Sequence, residues 1–318
     1  MRHGRVPAVD PQITPEGGVT RDGQPLSYNR APAPELSPWI GRIYVTKVSV
    51  PQDYTLSCGL FTDFACLRIQ LAGDWTADTA DGVKTAGRSA LIFGPQTRRM
   101  PICVTGSFTS LGIAMRPGAC TSLKGPRIGE LVDRMIPADS IGMSSCSVLP
   151  HFAPDASPEE WACTLESIIR KRIEAKDCAP PEPVSAHFEQ LTYRSPSMTV
   201  AEAARECGVD RRRLERIVLR DFGLTPKQVL RRARALDMAS QLRGVGDKTE
   251  AEDFTLRYYD ESHLIHEFTQ LFGMSPGQFI ATPQPLMTLT LESRQARRLE
   301  ELKRIAPGET RPWEKNGG

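Results

Sequence analysis

One short pattern occurs twice in the C-terminal third, 50 residues apart: Gly223-Leu224-Thr225-Pro226 and Gly273-Met274-Ser275-Pro276. Each closes a similar helical unit, so the chain beyond Val184 has to accommodate two copies of one supersecondary element. In the first unit Thr199 is positioned to N-cap a helix carrying Val200, Ala203 and Ala204, and Cys207-Gly208-Val209 supplies a turn whose glycine suits positive φ. A second helix starts at Asp210. It carries Leu214, Ile217, Val218 and Phe222 at i, i+3, i+4 and i+8, which makes one buried stripe. The second unit repeats the scheme, with Leu264, Phe268, Leu271 and Phe272 as the stripe and Asp260 positioned to cap the start. Two helix-turn-helix units are expected between Ser185 and Ile280.

The face opposite the first stripe carries Arg212, Arg213, Arg216 and Arg220, with Arg211 beside them. A guanidinium binds guanine O6 and N7 bidentately or neutralises a phosphate, which is what a helix lying in a major groove requires. The competing reading is a solvated charged face. The net charge of +2 conceals a strong local polarity: from Arg205 to Arg243 eleven Lys or Arg stand against five Asp or Glu, giving +6, and from Gly244 to Ile280 two stand against seven, giving −5. The first unit is therefore expected to supply most of the phosphate attraction, and the second to adjust register or read few bases.

The run Tyr258-Tyr259-Asp260-Glu261-Ser262-His263, followed by Phe268 and by Gly273-Met274-Ser275-Pro276-Gly277-Gln278-Phe279, resembles the signature of the AraC-type family of transcriptional regulators. The resemblance implies two helix-turn-helix units joined by a connecting helix, here Pro226 to Leu242. It implies promoter DNA as partner, with RNA polymerase, a second copy of the chain and a small-molecule effector as further partners, and Glu261, Ser262 and His266 as DNA-contacting positions of the second unit. Activation is the expected mode, although nothing in the sequence sets the sign. Two departures stand out. Arg257 replaces the family's turn glycine, where a left-handed backbone costs about 1 kcal/mol, and His266 and Glu261 replace a commoner arginine and glutamine. His263 and His266 also have the spacing of a metal pair, but no third ligand such as a nearby cysteine accompanies them, and the resemblance makes His263 a structural helix residue.

Upstream, residues 1–38 are rich in Pro and Gly without any period and read as a disordered leader. Residues 39–176 read as a β-rich domain with a helical annex. Short runs such as Ile43 to Val50, Cys66 to Leu71, Leu91 to Phe93, Ile102 to Val104 and Phe108 to Met115 suggest a small antiparallel barrel or sandwich. The annex comprises a short helix from Ile128 to Met135 and a longer one that Ser157, Pro158 and Glu160 open as a capping box. Residues 177–184 read as a linker, 185–282 as the DNA-binding domain and 283–318 as a helical tail whose Arg294, Arg297, Arg298, Lys303 and Arg304 either dock, solvated, on the domain or extend the phosphate contact. The expected fold class is α+β: a cupin-like sensing domain followed by an all-α domain. Phe93 to Arg98 and Leu111 to Ala119 resemble an uncharacterised cupin-like regulator domain. Trp39, Tyr44, Tyr54, Phe64, Trp75, Phe93, Phe108 and Met115 are available to line an apolar pocket there, or to serve as plain core.

Other function classes find little support. A metal-dependent cupin enzyme wants two or three His with a carboxylate, yet the histidines sit at 3, 151, 187, 263 and 266, outside the strands. No nucleophile elbow, Walker loop or paired-carboxylate motif is present, so no enzymatic activity, metal or cofactor is expected. The remaining alternative is an adaptor that keeps the helical fold without binding DNA. The eight cysteines lack a C-x-x-C pair and read as mostly buried, reduced thiols. No run approaches the roughly 18 apolar residues a membrane helix needs, so a cytoplasmic location is expected.

Overall fold

The alternation of the long strands explains the architecture. In the computed structural model, which describes residues 6–247 and 261–314 with the side chains of 261–263 excepted, nine strands form one antiparallel sheet. They are β1 (Thr14–Pro15), β2 (Tyr28–Arg30), β3 (Ile40–Ser49), β4 (Thr55–Leu60), β5 (Cys66–Thr79), β6 (Gly82–Ala86), β7 (Ser89–Phe93), β8 (Met100–Met115) and β9 (Met135–Pro137). The backbone runs in the order β1-β3-β8-β5-β7-β9, with β2 on β3, β4 on β8 and β6 on β5. Strands β5 and β8 are long enough to pair with several neighbours each, and β5 shifts register between Gln70 and Asp74, where the sheet bends. The hydrogen-bonded path does not return to β1, so the sheet is curled but not a closed barrel.

Successive side chains point to opposite faces. Ile43, Val45, Leu67, Ile69, Ile92, Leu111 and Ile113 share one core with Trp161, Leu165 and Ile169 of a covering helix. The other face carries Cys66, Phe93 and Phe108. It merges into a second core with Leu236, Phe268, Phe272, Phe279 and Leu289 from the helical half. The covering helix is α4 (Pro158–Ala175), after the short α1 (Ala119–Ser122), α2 (Ile128–Leu131) and α3 (Ser145–Val148), and it starts at the expected capping box. The helical half comprises α5 (Pro183–Arg194), α6 (Val200–Glu206), α7 (Arg211–Phe222), α8 (Pro226–Leu242), α9 (Glu261–Phe272), α10 (Pro276–Ala281) and α11 (Pro285–Glu301). Among the described residues no helix is long and apolar enough to cross a membrane.

Three expectations are corrected. The stretch read as a disordered leader is built into the fold from residue 6 to residue 38. There β1 and β2 extend the sheet along β3, Gln24 and Asn29 are buried, and the Ala8 amide bonds to the Ile280 carbonyl at 2.8 Å. Edge pairing and distant partners order a segment that has no period of its own. The helix expected from Ile128 to Met135 ends after one turn. Asp133 takes positive φ (56°), its amide bonds to the Pro95 carbonyl at 3.0 Å, and the chain continues as β9 against β7. The tail arginines Arg294, Arg297 and Arg298 are neither solvated nor free for phosphate. All three are buried between the sheet and the helical half. Four of the eight cysteines are buried, whereas Cys146 and Cys163 are exposed, and all eight are free thiols.

Candidate nucleic-acid interface

The twice-repeated pattern is one structural device. Gly223 and Gly273 end α7 and α9 with φ of 71° and 70°, a left-handed conformation that glycine adopts without Cβ strain. Two residues on, Thr225 and Ser275 N-cap the next helix in capping boxes with Gln228 and Gln278, and Pro226 and Pro276 occupy the first turn, where no N–H is required. In the first unit Thr199 and Glu202 form another capping box, Gly208 turns with φ of 67°, and Asp210 accepts from the Arg213 amide at 2.9 Å to start α7. Leu214, Ile217, Val218 and Phe222 are buried along one side. In the second unit Leu264, Phe268, Leu271 and Phe272 are buried, with the Phe268 and Phe272 rings stacked at 4.1 Å and Phe279 edge-on to both.

The five arginines of α7 are exposed but unequal. Arg212 and Arg216 have no ion pair among the described residues, and with Leu219, 53% exposed, they share a face at i, i+4 and i+7. Arg211 pairs with Glu215 one turn on at 2.8 Å. Arg213 and Arg220 turn toward Glu182 in the segment before α5, at 3.4 and 2.9 Å. Burial alone would raise the Glu182 carboxyl, but hydrogen bonds from Arg220 and Arg213 more than reverse this and hold it below the usual carboxylate range. Arg220 also grips Asp221, a buried carboxylate that accepts from Ser185 Oγ. The +6 excess of the first unit thus overstates its free charge, since Arg232 and Arg243 are buried and Arg231 and Arg234 engage Glu267 of α9 at 3.3 and 3.2 Å.

In α9, His266 is exposed and its Nε2 lies 2.7 Å from Gln270 Nε2. Glu261 opens the helix, but its side chain and those of Ser262 and His263 are not among those described. Tyr258, Asp260 and the turn position Arg257 lie outside the described residues. Among the described residues no group of His, Cys, Asp and Glu is arranged to hold a metal.

Both units are docked on the sheet domain. A Cβ on Gly223 would lie 2.9 Å from Ile128 Cγ2 and Val132 Cγ2 of the annex, so the end of α7 rests on α2. The Arg99 amide caps the Leu271 carbonyl of α9 at 2.7 Å, and Phe61 meets Phe272 edge-on at 5.1 Å. Buried ion pairs bind the layers. Arg294 of α11 bridges Asp63 (2.7 Å) and Asp237 of α8 (2.6 Å), and Glu189 of α5 joins Arg116 (2.9 Å) to Arg297 (2.6 Å). Arg297 passes so close to Gly41 that a Cβ there would lie 2.1 Å from its guanidinium carbon. Asp237, Glu189, Glu182 and Asp63 did not emerge from sequence reasoning, because an acid beside an apolar stripe carries no mark that distinguishes a buried partner from a solvated one.

The inner face of the sheet and α11 enclose a cavity of about 590 Å³, its open mouth included. Of the aromatic and sulfur residues picked out in the strands, Tyr44, Phe64 and Phe108 line it, and Trp75 and Phe93 stand beside Arg68 at its wall. Trp39 and Met115 belong to the core under α4.

A helix-turn-helix unit formed by α6 and α7, with the connecting helix α8 and the helices α9 and α10 of the second copy of the pattern, places the helical half in the DNA-binding helix-turn-helix class. Residues 203–282 match the model of a helix-turn-helix domain, and residues 28–137 match that of a domain of unknown function (DUF6597). The C-terminal domain is an AraC-type helix-turn-helix domain, and the chain is a DNA-binding transcription regulator. Comparison with curated proteins gives no match. Among solved structures, an apo form of ToxT from Vibrio cholerae is 11% identical, with 76% of this chain and 98% of that chain covered and a TM-score of 0.45. ToxT with a bound unsaturated fatty acid is 10% identical, with 81% and 97% covered and a TM-score of 0.42. The AraC-like transcriptional activator CuxR is 15% identical, with 66% and 86% covered and a TM-score of 0.30.

Proposed function

We propose that this regulator reads promoter DNA chiefly through Arg212 and Arg216 of α7, that α9 with Glu261, Ser262 and His266 sets register on the adjacent groove, and that the sheet domain holds a small-molecule effector. RNA polymerase and a second copy of the chain complete the proposed assembly. The observation that carries the reading is that Arg212 and Arg216 are exposed and have no ion pair among the described residues, on a helix whose other arginines are engaged. An unpaired guanidinium on the outer face of a second helix-turn-helix helix can enter the major groove without first breaking an ion pair. The cavity between sheet and α11 supports the effector half of the reading.

The test is titration of a fragment of the chain's own upstream region with wild type, Arg212→Ala, Arg216→Ala and the double variant at several salt concentrations. A guanidinium that pairs bidentately with guanine contributes about 1–3 kcal/mol of discrimination, whereas one on phosphate changes the slope of log K against log salt by about 0.9. Loss of affinity with one or other signature is expected. Unchanged affinity and slope in the double variant would overturn the assignment, and salt-insensitive, negligible DNA binding by wild type would favour the adaptor.

A further inference from the structure

We infer that the cavity between the sheet and α11 takes a monoanionic organic carboxylate, its carboxylate paired with Arg68 and its apolar body lodged against Leu60, Phe108 and Leu289. This rests on the reading of the sheet domain as an effector domain and names the class of effector.

Arg68 is the reason. It sits near the start of β5, is only 7% exposed, and has no carboxylate or carbonyl partner among the described residues. Its one polar contact among the described residues is Nε to the Tyr44 hydroxyl at 3.3 Å. The other buried guanidiniums are compensated by oxygen: Arg294 by Asp63 and Asp237, Arg297 by Glu189, Arg42 by Glu300, and Arg232 and Arg243 by backbone carbonyls. Three aromatic rings surround Arg68, with Phe93 at 4.8 Å, Trp75 at 5.7 Å and Tyr44 at 5.9 Å from the guanidinium carbon. Cation–π contacts offset only part of the desolvation of a buried cation. Nor can a neighbour become its counter-ion, because burial pushes both the Tyr44 phenol and the Cys66 thiol up, so both stay neutral.

The cavity supplies what is missing. Arg68 lines it, and the remaining lining surface is mostly apolar, although seven residues, Thr46, Thr62 and Ser110 among them, bring hydroxyls to it, and there is no second cation among the described residues. One guanidinium compensates one charge, and its planar fork matches a carboxylate bidentately. A dianion such as a phosphate monoester would bury a charge without a partner. The apolar wall asks for a hydrocarbon body on the acid, which a simple inorganic anion lacks.

The site also explains how binding reaches the DNA-binding half. Leu286, Leu289, Thr290 and Ser293 of α11 close the cavity, and the next residue, Arg294, joins Asp63 of the sheet domain to Asp237 of the connecting helix. An acid seated on Arg68 therefore presses on the helix that fixes the two halves together.

The experiment is calorimetric titration of the full chain with octanoate and phenylacetate, each against its uncharged amide at constant sodium chloride. Binding of at least one acid, with its amide weaker by about tenfold or more, is expected, and the preference should be lost in Arg68→Met and partly kept in Arg68→Lys. Equal binding of acid and amide, acid preference surviving in Arg68→Met, or no binding of either acid overturns the proposal. The comparison of acid with amide in wild type decides the matter even if Arg68→Met does not fold. Promoter affinity, read in parallel with and without the acid, separates the two readings. An acid that binds through Arg68 without altering DNA affinity supports the site and overturns its role as effector site.

Discussion

Replacing Arg294 with methionine measures how strongly the sheet and the helical half are bound into one cooperative unit. The guanidinium is 2% exposed and shared by Asp63 of the sheet domain at 2.7 Å and Asp237 of α8 at 2.6 Å. Methionine preserves most of the aliphatic volume, so the perturbation is chiefly loss of charge. Asp237 keeps a hydrogen bond from Gln295 at 3.3 Å and an ion pair with Arg298 at 3.9 Å, whereas Asp63 loses its ion pair. Removing one partner of a buried pair costs about 3–5 kcal/mol, because a carboxylate is left desolvated and unpaired. With an m-value of about 3 kcal/mol/M in urea, the midpoint should fall by more than about 1 M. Three of the four tryptophans, Trp39, Trp75 and Trp161, belong to the sheet domain and its annex, and Trp313 bonds to Glu292 of α11, so fluorescence reports chiefly the sheet domain while far-UV circular dichroism is dominated by the helices. In wild type the two transitions should coincide, and in Arg294→Met they should separate. A loss below about 1 kcal/mol, the value of a solvated pair, with transitions still coincident, would refute the reasoning.

Glu182→Gln should release Arg213, while Arg220 stays on Asp221, raise promoter affinity and steepen the salt slope by about 1; reduced affinity would show that the clamp orients α7 instead of restraining it. The same carboxyl carries a pH dependence. Its folded pKa is depressed, so its stabilisation is fully present above the unfolded value of about 4.3 and is lost as the pH falls through the lower folded value, which denaturation curves over acid pH would register. Gly223→Ala and Gly273→Ala form an internal control. Both pay about 1–2 kcal/mol for a left-handed backbone, but only the first drives a Cβ to within 2.9 Å of Ile128 and Val132, whereas no described residue lies within 4 Å at the second. Gly223→Ala should therefore be the more destabilising in urea titration, and equal costs would argue against the seat of α7 on α2.

The helix-turn-helix units were legible in the sequence because every device that makes them is local. A cap, a glycine stop and a stripe at i, i+3 and i+4 are satisfied within one or two turns, as Thr225 with Gln228 and Ser275 with Gln278 demonstrate. The strands at Cys66 to Leu71 and Phe108 to Met115 were legible for the same reason. The sheet's open path was not, since pairing of β8 with three partners depends on residues far apart in the chain.

The site was half legible. Sequence periodicity put Arg212, Arg213, Arg216 and Arg220 on one face of α7, and tertiary contacts divided them, because Glu182 approaches from the segment before α5. The tail reads as an amphipathic helix with basic positions, the pattern of a solvated face. Arg294 nevertheless meets Asp63 across 231 residues of sequence. In β5 the alternation of Cys66, Arg68 and Gln70 against Leu67 and Ile69 resembles a polar, outward face, yet α11 covers that face and makes it the interior of a cavity. Sequence alone determined the helices, their caps and the repeat of the glycine stop and capping box at Gly223 and Gly273, since those rest on interactions between near neighbours. Only the tertiary structure decided which charges are buried, paired or free, because burial and ion pairing are set by whichever distant element packs on a face, and local pattern carries no record of that.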